Sequence, residues 1–176
     1  MLESLGSRLQ HAFFTLPDLQ GWLITLGLFG LFAVLTVVIV RSSQLFVFAP
    51  SRLSLRPAFI LALIAFFTPS LPEETLYRAL LTPSPPLQGN TDYFWMALSL
   101  FIFVAAHPLL AWLLMPSYRQ IFYRPAFLLI VALLGVSCTL AYQLTGSIWT
   151  AIFIHWLTIV LWKVLFSGPD FGLVKG

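Results

Sequence analysis

Residues 126–166 read AFLLIVALLGVSCTLAYQL, then TG, then SIWTAIFIHWLTIVLWKVLF. Crossing a hydrocarbon core of ~30 Å as a helix takes roughly twenty apolar residues, and each of the two runs, 126–144 and 147–166, reaches that length. Only Thr145 and Gly146 separate them, which leaves room for a tight reversal and nothing else. The stretch therefore reads as an antiparallel hairpin of two membrane-spanning helices.

Working outward, three more apolar runs occur at 22–40, at 57–81 with interruptions, and at 93–115. The whole chain is 60% hydrophobic and 9% charged, against about 25% charged in soluble domains, which excludes a soluble globular protein. Seventeen phenylalanines likewise exclude a disordered chain, despite twelve prolines and ten glycines. Before the first run, Leu2, Leu5, Leu9, Phe13 and Leu16 recur at helical spacing with Arg8, Gln10 and His11 between them, a pattern suited to a helix lying in the membrane interface. The expected fold is all-α, a polytopic transmembrane bundle of about five spans plus an N-terminal interfacial helix. Its expected divisions are 1–21 (interfacial segment), 22–56 (first span and a basic loop), 57–166 (core) and 167–176 (tail).

The net charge of +3 comes from scattered residues with no basic run, so nucleic acid is not an expected partner and the bilayer is. The single cysteine, Cys138, allows no intrachain disulfide and no Cys-based metal cluster. With five spans, Arg8 is the one basic residue on the side of the N-terminus, whereas Arg41, Arg52, Arg56, Arg119, Arg124, Lys163 and Lys175 fall on the other. The positive-inside bias then predicts an N-terminus outside and a C-terminus in the cytoplasm, in a prokaryotic plasma membrane.

Ionisable residues deep in spans cost about 2.5–3.5 kcal/mol each on insertion scales, so each needs a reason. Five are expected there: Glu73, Glu74 and Arg78 in the second run, His107 in the third and His155 in the fifth. The stretch Pro69-Ser70-Leu71-Pro72-Glu73-Glu74 favours a broken helix, and Ser70 with Glu73 also fits a capping box. A cap needs one acid, however, and two stand here. Arg78 follows Glu74 by four residues and shares its helix face, while Glu73 is turned about 100° away and stays available. Phe103 stands four residues before His107 and can brace its ring.

These residues resemble the CPBP family, the CAAX proteases and bacteriocin-processing enzymes also called the Abi family. Its motif EExxxR corresponds to Glu73-Glu74-Thr75-Leu76-Tyr77-Arg78, its FxxxH to Phe103-Val104-Ala105-Ala106-His107, and its final histidine to His155. The resemblance covers about 57–166 and implies an intramembrane endopeptidase acting on a membrane-associated peptide or protein. In it Glu73 activates a water, His107 and His155 position that water or stabilise the oxyanion, and Glu74 with Arg78 holds the site. It implies either no cofactor or a divalent metal such as zinc, which Glu73, His107 and His155 would hold. Two positions depart from the family pattern. Ile159 replaces the usual Asn or Asp four residues after the last histidine, with Thr158 beside it as a partial substitute, and Ala79 replaces a glycine.

Two other functions fit parts of the sequence. An inactive relative acting as a binding or chaperone-like membrane module is favoured by Ile159. A bis-histidine haem subunit would use His107 and His155 but leaves Glu73, Glu74 and Arg78 without a role. For the protease, Glu73, His107 and His155 are expected to converge on one small polar cavity between the second, third and fifth spans. Counted along their runs, His107 lies roughly 21 Å and His155 roughly 12 Å from the same face, so the spans must be offset. A third helix beginning later than Tyr93 would absorb the difference.

Overall fold

The computed structural model describes residues 4–51 and 53–166. Leu2, Arg52, Lys175 and the expected tail at 167–176 lie outside the described residues. Among the described residues the structure is helical with no strand. A short helix, α1 (Leu5–Phe14), precedes α2 (Leu19–Ser43), α3 (Leu55–Leu80), α4 (Asn90–Leu113), α5 (Pro125–Thr145) and α6 (Ile148–Phe166). The last five are long and apolar enough to cross a membrane.

Helix α5 is the centre of the bundle, packing on α2, α4 and α6. Its ends follow from local chemistry. Pro125 opens it at a position where no amide hydrogen is needed, and Gly146 closes it with φ +71°, its N–H bonded to the Tyr142 carbonyl at 2.8 Å. Asp18 starts α2 by accepting the Gly21 N–H at 2.8 Å. Arg119 satisfies the end of α4, donating to the carbonyls of Ala111 at 3.1 Å and Trp112 at 2.6 Å. On α2 the outward residues Leu23, Leu31, Val34 and Val38 remain exposed, a face that lipid covers in a helix apolar all round.

The prolines of α3 do not break it. The helix runs through Leu55–Leu80, widened to π turns at Phe66–Ser70 and Thr75–Leu80, with the α turn Leu71–Glu74 between them. Pro69 brings no N–H for the Ala65 carbonyl, and the Ser70 hydroxyl takes that carbonyl at 2.8 Å. Ser70 is thus a helix-interior residue and makes no capping bond to the turn of Glu73, which corrects the capping-box expectation. Near the second π turn the Tyr77 carbonyl accepts the hydroxyls of Thr82 at 2.7 Å and Ser99 at 2.6 Å. Hydroxyls serve here because the membrane interior offers no water to the freed carbonyls.

Helix α1 lies against the bundle end formed by the close of α3 and the start of α6. Arg8 donates to the Thr82 carbonyl, the Trp149 indole donates to the Phe13 carbonyl at 2.9 Å, and Ala12 is fully buried. Helix α4 begins at Asn90, earlier than the expected Tyr93. Since His107 and His155 nevertheless pack on one ring, Phe103, α4 and α6 are offset lengthwise by about ten residues, roughly 15 Å.

Candidate active site

The α turn between the two π turns of α3 presents its two acids in different directions. Glu74 points inward and is completely buried. Its Oε2 lies 3.1 Å from Arg78 Nε, and its Oε1 accepts the Nδ1–H of His155 at 2.7 Å. The expected pair within α3 is present, and a second partner across the bundle joins it. Arg78, also fully buried, donates to the Gly135 carbonyl of α5 at 3.2 Å and stacks its guanidinium 4.6 Å over the ring of Phe103. One carboxylate therefore ties α3 to α6 directly and to α5 through Arg78.

Glu73 faces the other way, with its side chain 29% exposed and its Oε2 4.0 Å from His155 Nε2. That separation is too long for a direct hydrogen bond and suits one water shared between the two atoms. Because Glu74 accepts at Nδ1, Nε2 is the nitrogen His155 turns toward Glu73. His107 donates Nδ1–H to the Phe103 carbonyl at 2.9 Å, since a carbonyl only accepts, and this leaves its Nε2 for whatever fills the adjoining cavity. Phe103 is fully buried, its ring 5.1 Å from that of His107 and 6.1 Å from that of His155. Gly135 makes this placement possible. A Cβ there would stand 2.9 Å from the Phe103 ring and 2.5 Å from Leu100.

Glu73, His107 and His155 all line one cavity of about 870 Å³. It is neither small nor polar, and α2 and α5 contribute to it along with α3, α4 and α6. The reason is local pairing: Glu74, Arg78 and His155 satisfy one another inside the bundle, so no shared wet chamber is needed. The remaining wall is mainly apolar, with the rings of Phe32, Phe127 and Trp162 among aliphatic side chains such as Val37, Ile130 and Leu134. Thr158 lines the cavity but gives its proton to the Ile154 carbonyl at 2.7 Å, and Ile159 stands beside it as an apolar wall. The hydroxyl is therefore committed to its own helix.

Lys163, expected among the loop cations, is buried in the last turn of α6 with its Nζ 3.3 Å from the Tyr118 hydroxyl. The segment 49–51 covers that turn, Ala49 and Ser51 donating their amides to Leu165 and Val164 carbonyls at 2.9 and 2.8 Å. Among the described residues no three of the His, Cys, Asp and Glu side chains stand as a metal-binding group, Glu73, His107 and His155 included.

Neither a curated protein nor a solved structure was found to match the chain. Residues 55–161, well over half of it, match the sequence family described as "Type II CAAX prenyl endopeptidase Rce1-like". The matched region holds both acids of α3, Arg78, Phe103 and both histidines, and on that match the chain belongs to the Rce1-like family of type II CAAX prenyl endopeptidases.

Proposed function

We propose that the protein is an intramembrane endopeptidase that hydrolyses a peptide bond of a membrane-associated, lipid-modified peptide with a water activated by Glu73. The observation that carries this reading is the 4.0 Å gap between Glu73 Oε2 and His155 Nε2 at the wall of the cavity. A water in that gap gives its proton to the Glu73 carboxylate as its oxygen attacks the scissile carbonyl. With Glu74 accepting at Nδ1, an imidazolium at His155 offers Nε2–H to the developing oxyanion. The proton on Glu73 then passes to the departing amine. His107 Nε2 accepts a water hydrogen and so orients the nucleophile, while Phe103 and Arg78 hold the two rings in place. The apolar volume beside these groups, lined by aromatic and aliphatic side chains, suits a prenyl or similar apolar chain. The positive-inside bias predicts that the basic ends of α2 and α4 face the cytoplasm, where such a peptide terminus would be met.

The test is cleavage of a farnesyl-cysteine peptide by the purified protein in lipid. Glu73→Gln should leave folded yield unchanged, because Glu73 stands outside the buried network, and should lower the rate by about 10²–10⁴-fold. Activity that survives this substitution would sink the reading. A chelator should leave the wild-type rate unchanged, and loss restored by zinc would transfer the water's activation to a metal. The alternative of a binding module without catalysis is favoured by Ile159 and by the committed hydroxyl of Thr158. It predicts peptide binding with no cleavage at any lipid composition.

A further inference from the structure

We propose that Arg8 is a positioning residue for the reaction: through it, helix α1 clamps the close of α3 against the start of α6 and so sets the gap between Glu73 and His155. The inference rests on the endopeptidase reading and adds to it a part of the chain outside the matched region 55–161. Helix α1 packs on the second π turn of α3 and on α6. Its two ends engage different helices. Half-buried Arg8 donates to the Thr82 carbonyl, which places a cation at the negative end of α3. The Thr82 hydroxyl in turn donates to the carbonyl of Tyr77, the residue before Arg78, at 2.7 Å. Near the other end of α1, the Trp149 indole of α6 donates to the Phe13 carbonyl at 2.9 Å and meets the Phe13 ring edge-on at 5.6 Å. Between Arg8 and Phe13, Ala12 is fully buried, so the helix sits close on the bundle.

The bond from Glu74 to His155 joins α3 and α6 directly, but a single bond is a pivot about which two helices can still tilt. Toward the opposite end of α3, the Trp156 indole donates to the Ala62 carbonyl at 2.8 Å. Helix α1 supplies the tie on the other side of the pivot. Glu73 stands nine residues before Thr82, and His155 seven after Ile148, so the two lie roughly 13 Å and 10 Å along their helices from the clamped ends. Over such a lever a tilt of about 5° moves a side chain by about 1 Å. A 4.0 Å gap that holds one water tolerates little of this, and misplacement of about 1 Å costs up to about 10²-fold in rate. Among the described residues none of α1 lines the cavity. Loosening α1 should therefore leave substrate binding alone and disturb the alignment of the water.

The experiment uses the full chain in nanodiscs, the farnesyl-cysteine peptide as substrate, and hydrogen exchange as a readout independent of cleavage. Arg8→Gln should fold in normal yield and lower kcat by roughly ten- to a hundredfold with KM unchanged. Arg8→Lys, which still presents a cationic donor to Thr82, should restore most of the rate, and Trp149→Phe, which removes the donor to Phe13, should show the same loss in kcat. Gln10→Ala, at an exposed position of the same helix, should behave as wild type. In Arg8→Gln the amides of 76–82 and 148–154 should exchange faster than in the wild type. Unchanged exchange, unchanged kcat, or a loss confined to KM overturns the clamp. A wild type that cleaves nothing sinks the endopeptidase reading; faster exchange at both helix ends in Arg8→Gln then still supports the clamp, and unchanged exchange overturns it as well.

Discussion

At the scale of single residues, the most consequential side chain is Arg78, which does not line the cavity of Glu73 but braces, through Glu74 and Phe103, the two histidines that do. It is the counter-charge of Glu74, a donor to Gly135 and the cation over Phe103, with no solvent exposure. Arg78→Leu therefore leaves an uncompensated carboxylate inside the bundle, a loss of about 3–5 kcal/mol, and should appear as reduced folded yield on size-exclusion chromatography. Normal yield with lost activity alone would contradict this role. Arg78→Lys should rescue little, because a single ammonium cannot face a carboxylate, a carbonyl and a ring in one plane as guanidinium does. Glu74→Gln tests the other arm. It keeps the side chain's volume but weakens the acceptor at His155 Nδ1, so peptide cleavage should fall although Glu73 is intact.

At the scale of elements, the contact of α4 with α5 is set by one glycine. Gly135→Ala would drive a methyl into the Phe103 ring, and Phe103 is packed against Tyr77, His107 and His155 with no free space to enter. Overpacking of this kind costs about 1–3 kcal/mol, and because the ring that moves braces both histidines, cleavage should fall along with thermal stability. Unchanged activity at lowered stability would show that Phe103 only fills space. The spans themselves were legible because apolar length is written locally, and so was Glu74 with Arg78, four residues apart on one helix. The bond from Glu74 to His155 was not, since 81 residues separate the partners and no local spacing announces it. The π turns were hidden for a different reason. Pro69 and Pro72 signal a break in the backbone ladder, and whether the helix ends or widens depends on a hydroxyl such as Ser70 finding the freed carbonyl.

At the scale of the whole molecule, the question is which end of the cavity faces which side of the membrane. His155 lies in the half of α6 nearer the α5–α6 turn, seven residues past Ile148, while Arg41 and the short turns after α4 belong to the opposite end. Burial of Lys163 removes one cation from the count behind the orientation, and Arg41, Arg56, Arg119 and Arg124 still stand at that end among the described residues. Their excess over Arg8 predicts that this end faces the cytoplasm, since positive loops are retained on that side during insertion. The native cysteine does not interfere with a labelling test, because Cys138 is completely buried and can be replaced by alanine. In that background, Gln88→Cys in the loop after α3 should react with a membrane-impermeant thiol reagent on intact cells. Ser42→Cys at the end of α2 should react only after permeabilisation. Both positions are exposed, so a difference between them reports sidedness and not burial. The reverse pattern would turn the bundle over, put the Arg41 end outside, and direct the search for a substrate to peptides presented on the outer face.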